Sequence, residues 1–302
     1  EAEVQIRAAG PVGKHTILVG GGMQFNYLNI QQSPVPWATS AIFPFVVTED
    51  AGPPPVRVDW PASVKPTIEA KTTLSAVGPA GSVGTATARF SSTSGAVLSK
   101  VDVSATGLNA GQPVELVWST VVGNRVNCTG TCWTFASIPL GTATAAADGS
   151  AKSAFTVPDG LGGWHVVQLL QGGKVMAQVP YYVKRSVVGV PKTVKAGSEF
   201  EVHLKGVGWT QLDNTVAVTY DNAYVGYGCG FNSDGDVVLK LVATGGPGTH
   251  LIDIYPLLYT YQPAYPYPPH GAIPFLAYAR DFPGLALGYE LPAFRLAITV
   301  VE

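Results

Sequence analysis

Over long stretches of this chain, apolar and polar side chains alternate one by one. Phe200, Val202 and Leu204 are interleaved with Glu201, His203 and Lys205. Val114, Leu116 and Trp118 are interleaved with Glu115 and Ser119, and Phe294, Leu296, Ile298 and Val300 with Arg295 and Thr299. A period of two puts alternate side chains on opposite faces of a strand, so each run predicts a half-buried β-strand. No long window carries apolar residues at i, i+3, i+4 and i+7, so the pattern predicts almost no helix. Asp148-Gly149 and Asp234-Gly235 mark tight turns between strands. The 35 glycines and 24 prolines fit a fold with many turns.

The pattern also repeats. "VQIRAAGPVGKHTILV", "SAFTVPDGLGGWHVVQL" and "VVLKLVATGGPGTHLIDI" each read as strand, turn, Gly-x-His, strand. The histidines are His15, His165 and His250, and the apolar residues two and four positions later share their face. The first and third copies stay alike further on. Tyr27–Pro55 and Tyr259–Leu287 both run through Tyr, Gln and Pro-rich sequence to an Ala-Ile-(Phe)-Pro-Phe segment. The chain therefore divides into a partial unit over 1–70, equivalent to the back half of the others, and fuller units over 97–185 and 186–302. Residues 71–96, rich in Ser, Thr, Gly and Ala, read as a connector or as a first strand.

"VDVSATGLNAGQPVELVW" followed by "AADGSAKSAFTVPDGLGGWHVVQL" resembles the secreted bacterial and archaeal immunoglobulin-like repeats of the IPT/TIG and fibronectin-III-like kind. The resemblance covers the second and third units and half of the first. It implies an all-β protein of tandem immunoglobulin-like β-sandwich domains, here with long Pro/Tyr-rich loop insertions, and an extracellular or cell-surface setting. It is specific for the sandwich and not for a function, since such domains serve as spacers, adhesins, filament subunits and enzyme accessories.

Composition narrows the function classes. Eighteen basic against 20 acidic residues give a net charge of −2, which offers no basic surface for nucleic acid. The longest apolar runs, such as Ala41–Val47, are far too short to span a bilayer. Charged residues make up only 13% of the chain, about half the usual ~25%. So weakly charged a surface invites self-association. Glu1 opens the chain with no signal peptide, as in a processed chain, and Glu-Ala-Glu also fits the remnant of a secretion leader.

Candidate chemistry is sparse. The three Gly-x-His histidines recur at one position in otherwise different units, which favours a structural corner over a ligand site. In immunoglobulin-like domains a tyrosine near this corner bonds back to upstream backbone, and an imidazole can do the same. His203 falls on the polar face of its strand, and His270 stands alone in the Pro/Tyr loop. Cys128 and Cys132 form a short-loop disulfide in an oxidising setting or remain two thiols, Cys229 has no neighbour in sequence, and Asn127 opens a glycosylation sequon. Asn232, Asp234 and Asp236 resemble part of a calcium loop without its distal Glu, and read more simply as a turn. No nucleophile elbow, zinc-protease motif or phosphate loop is present, and nothing brings Asp221, Asp253 and Asp281 together. No catalytic, metal or cofactor residue is therefore assigned.

The aromatic loops remain. Tyr255, Tyr259, Tyr261, Tyr265 and Tyr267, with His270, crowd the third unit's insertion, and Phe25, Tyr27 and Trp37 its counterpart in the first. They offer a contact surface, for a sugar face or a partner, or fold back onto their own domain. The partial first unit is either a fragment of a longer array, or completed by 71–96, or completed by another chain through strand complementation. The expected function is a self-assembling structural subunit of a cell-surface filament, sheath or layer, or an adhesive stalk. The alternatives are a carbohydrate-binding module using the tyrosines, and an enzyme with a site between domains.

Overall fold

In the computed structural model of the chain, the described residues are 12–19, 27–31, 41–49, 78–124, 133–209, 213–221, 223–261, 270–274 and 294–302. They are almost wholly β. Two strands come first, β1 (Gly13–Val19) and β2 (Ala41–Val47), paired antiparallel with Gly13 opposite Val47.

Among the described residues, the middle unit has eight strands. They are β3 (Thr87–Phe90), β4 (Ser94–Ala96), β5 (Lys100–Thr106), β6 (Pro113–Gly123), β7 (Trp133–Thr144), β8 (Ala151–Thr156), β9 (Gly163–Gln171) and β10 (Lys174–Lys184). A sheet in the order β3-β5-β8 faces one in the order β4-β10-β9-β6-β7. Residues 87–96 thus supply one strand to each sheet of this unit. The alternation read in the sequence is what the sheets bury: Val114, Leu116 and Trp118 point inward, with Tyr181 edge-on and Phe155 tilted against Trp118.

The third unit repeats the scheme. Its strands are β11 (Ser186–Gly189), β12 (Thr193–Lys195), β13 (Glu199–Lys205), β14 (Thr215–Tyr220), β15 (Ala223–Cys229), β16 (Val237–Val242), β17 (Gly248–Tyr261), β18 (His270–Pro274) and β19 (Phe294–Val301). The sheets run β11-β13-β16 and β12-β19-β17-β14-β15, with β18 beside the far half of β17. Phe200, Val202 and Leu204 meet Leu239, Ile252 and Ile254 in its core. The chain is therefore a tandem of immunoglobulin-like sandwiches. In both units a short strand joins the last strand in parallel, β4 on β10 and β12 on β19.

Only Arg185 separates β10 from β11, and the two sandwiches meet end to end over a second small core. Val121, Leu161 and Val166 from one side meet Trp209 and Phe231 from the other, with Trp133 edge-on to Trp209. The Trp209 indole N–H donates to the Trp164 carbonyl, and Gly162 N–H to the Val207 carbonyl. A side chain at Gly162 would lie 1.7 Å from the Gly206 oxygen, so only glycine permits this approach. The Asp234-Gly235 turn closes the same junction, and Lys205 bonds Asp159 across it. Trp209→Ala removes the centre of this cluster at a cost of about 3–5 kcal/mol. Calorimetry is expected to show one melting transition of the two sandwiches resolving into two, and a single unshifted transition would refute the coupling.

Candidate functional site

A sandwich of this kind closes where the edge strands of its two sheets approach. In the middle unit β7 and β8 approach each other directly. In the third unit the corresponding strands, β15 and β16, have a foreign segment between them. Residues 27–31 run there, pairing parallel with β15 at Tyr27–Tyr227 and antiparallel with β16 at Asn29–Leu239. Leu28 N–H donates to the Tyr227 carbonyl, Lys240 N–H to the Leu28 carbonyl, and Ile30 N–H to the Val238 carbonyl. The segment behaves as a strand shared by both sheets.

Its alternation explains the fit. Leu28 is 2% exposed and belongs to the third unit's core. Asn29 is 0% exposed, and its amide is saturated. Nδ2 donates to the Cys229 carbonyl at 2.8 Å and the Ser233 hydroxyl at 3.1 Å, and Oδ1 accepts from the Val238 and Gln31 N–H groups. Tyr27 stands edge-on to Tyr227 and its hydroxyl donates to the Cys229 carbonyl. A buried amide with every partner supplied fixes one register, because any slip leaves polar groups of both sides unpaired in the interior. β1 and β2, which flank the segment in sequence, pair beside the same edge: β1 touches β15, and Lys14 packs on Gly246. The N-terminal strands therefore form an arm whose docking site is the third sandwich.

The histidines repeat one geometry with different chemistry. His165 Nε2 lies 2.8 Å from the carbonyl of Leu161, and His250 Nε2 lies 2.9 Å from that of Gly246, four residues upstream in each case. Trp118 stacks on His165, and Tyr220 lies over His250. The other nitrogen faces the middle of β6 in one unit and the residue just after β14 in the other. For His165 the partner is the Ser119 carbonyl. For His250 it is the Asp221 carboxylate at 2.6 Å. Burial pushes His165 down to about 4, against the upward pull of its carbonyl partners, so it is neutral at neutral pH. Burial also works against a charge on His250, but Asp221 and the Gly246 carbonyl outweigh it and raise its pKa. Both of its partners only accept, so both bonds form together when the ring is imidazolium.

The remaining sequence candidates are dispersed. His15 lies in β1 opposite Phe45, whereas His250 lies opposite Ile298 of β19, so β2 stands to β1 at that point as β19 stands to β17. Tyr255 is half-buried and its hydroxyl donates to Asp253, which also holds Arg295 in a two-pronged bond. Tyr259 and Tyr261 lie in β17 opposite Ala272 and His270. Phe25, Trp37, Cys128, Cys132, Tyr265, Tyr267 and Asp281 lie outside the described residues. Asp221 and Asp253 are far apart in role: one orients a histidine, the other an arginine. His203 pairs with Asp236. Among the described residues no group of three or more His, Cys, Asp or Glu is placed to hold a metal. Leu28 and Asn29 were not among the sequence candidates. Their signal was the short alternation Tyr-Leu-Asn-Ile ahead of a proline-rich stretch.

No known family model matches the chain, and no curated protein matches it. Solved structures do. The Yersinia pseudotuberculosis adhesin InvE aligns at 14% identity over 57% of this chain and 55% of its own, with a TM-score of 0.29. The Escherichia coli adhesin FdeC aligns at 14% identity over 75% and 67%, with a TM-score of 0.24. A putative membrane anchored protein from Corynebacterium diphtheriae aligns at 10% identity over 71% and 53%, at 0.22. The chain thus spans only about half of the first and third of these. Scores this low carry no argument about function.

Asn29→Ala strips four hydrogen bonds from a dry site and is expected to weaken arm docking by about 3 kcal/mol. Urea unfolding of the third sandwich reads this directly, and an unchanged midpoint would contradict it. The corners give opposite pH responses. His165 has its pKa lowered on folding from about 6.5, so its unit is fully stable above that pH. About 3 kcal/mol is lost as pH falls from about 6.5 to 4. His250 has its pKa raised, so its contribution is complete below about 6.5 and is lost as pH rises through the folded value. Unfolding at pH 4.5, 6.5 and 8.5 should show the middle unit weakest at the lowest pH. Asp221→Asn should abolish the alkaline weakening of the third unit.

Proposed function

We propose that the chain is a structural subunit of an extracellular assembly, a filament, sheath or layer of tandem IPT/TIG-like sandwiches. One observation carries the reading. The third sandwich is completed by an arm 200 residues away in sequence, while the middle sandwich closes with strands of its own. A domain that draws its last strand from a remote, separable arm is built to be completed by insertion, and insertion joins chains as readily as it closes one. The low charge, 13% of residues, supports close association.

The described tyrosines support this reading over carbohydrate binding, because Tyr27 and Tyr255 spend their hydroxyls on Cys229 and Asp253. The carboxylates of Asp221 and Asp253 are likewise engaged by His250, Leu251 and Arg295. Light scattering of the native protein at micromolar concentration is expected to show species of many subunits, visible as ordered polymers in negative stain. A monomer at every concentration would contradict the proposal.

A further inference from the structure

We propose that in the assembly the arm seated in each third sandwich belongs to the neighbouring copy, so that subunits join head to tail. The inference rests on the structural-subunit reading and identifies its partner and its site.

The argument is where the chain ends of the arm and of the tandem lie. At the junction between the sandwiches stand Lys184 of β10 and Lys205 of β13, on either side of Arg185 and Ser186. The opposite end of the third sandwich carries Glu199 and Val242, and then the Gly245–Gly248 turn. Lys14 packs on that turn, and Val46 and Val47 pair with Lys14 and Gly13. The arm therefore leaves the third sandwich, through β2, at the end remote from the junction.

The middle sandwich receives the chain at its own remote end. Gly84 and Ala86 bond to the carbonyls of Val175 and Met176, at the start of β10, whereas the junction lies at the finish of that strand. Within one chain, Glu49 and Gly84 therefore stand at opposite ends of the two sandwiches. The 11-residue β10 and the 7-residue β13 give these lengths of roughly 36 and 23 Å, so the path is on the order of 60 Å. An unconstrained chain of the 34 residues between Glu49 and Gly84 would average roughly 35 Å between its ends. Self-insertion asks the two ends to stand well beyond that average. Between copies stacked end to end, the remote end of one third sandwich meets the remote end of the next middle sandwich. The link then has only that contact to cross. The same Leu28 and Asn29 bonds form either way, so among copies already packed in an assembly the shorter span favours the neighbour. Such a contact does not close on itself and propagates.

The test uses the full chain with a cysteine on each side of the docking surface. In Lys14→Cys/Gly246→Cys the two Cβ positions lie 2.9 Å apart on an exposed turn. A disulfide needs about 3.8 Å, which a small shift there supplies. Tyr27→Cys/Tyr227→Cys provides a second, independent pair at the strand bridge. Assembled protein is oxidised and run on a denaturing, non-reducing gel beside the unsubstituted chain. The proposal expects most of the protein in a ladder of covalent multimers, absent from the unsubstituted chain and collapsed by reductant. A single fast-running monomer band in polymeric material would overturn the exchange and leave the structural-subunit reading standing. No cross-link from either pair would overturn it by removing the arm from the groove, and protein monomeric throughout would end both readings.

Discussion

Between β15 and β16 the third sandwich leaves a gap wide enough for one strand, and the arm fills it with Leu28 and Asn29. The two residues divide the work. Leu28 brings an apolar side chain to a core that is otherwise open on that side. Asn29 satisfies backbone groups of both sheet edges at once, the Cys229 carbonyl and the Val238 N–H. Without the arm these groups, with the Tyr227 and Val238 carbonyls and the Lys240 N–H, would form two unpaired edges over exposed core. The stability of this sandwich, and the assembly proposed for it, thus rest on the same interaction.

That arrangement needs a rigid body on which to act. The cluster around Trp209 and the close backbone contact at Gly162 lock the two sandwiches end to end. The distance between the arm's exit at Glu49 and the middle unit's start at Gly84 is then fixed by the fold. Within each sandwich the histidine corners pin the turn before the β9 or β17 strand by the same backbone bond. The partner is the Ser119 carbonyl in one unit and the Asp221 carboxylate in the other, which reverses the charge preference and leaves the geometry alone.

Much of the fold was legible in the sequence because half-buried strands write their burial as alternation. Val202, Leu204, Leu116 and Trp118 fall inward as the pattern requires. Two of the histidines singled out by the Gly-x-His recurrence, His165 and His250, lie within hydrogen-bond reach of the carbonyl four residues upstream. The site was harder to see. Leu28 and Asn29 lie in a stretch of four alternating residues, too short for periodicity to distinguish from a loop, and their partners are some 200 residues away. The tandem aromatic junction was equally hidden, since Trp133, Trp164 and Trp209 meet only through tertiary packing. A buried asparagine carries no mark in sequence that separates it from a turn asparagine.

Hydrogen exchange along β16 tests the central claim most directly, because the strand contains its own control. The inner amides of this strand that face β13 and those that face the arm alternate. Val238 and Lys240 direct their N–H groups to Asn29 and Leu28. With the arm in place, these two amides exchange as slowly as those of Leu239 and Leu241. Rapid exchange at Val238 and Lys240 beside protected Leu239 and Leu241 would show an unfilled edge and contradict the account.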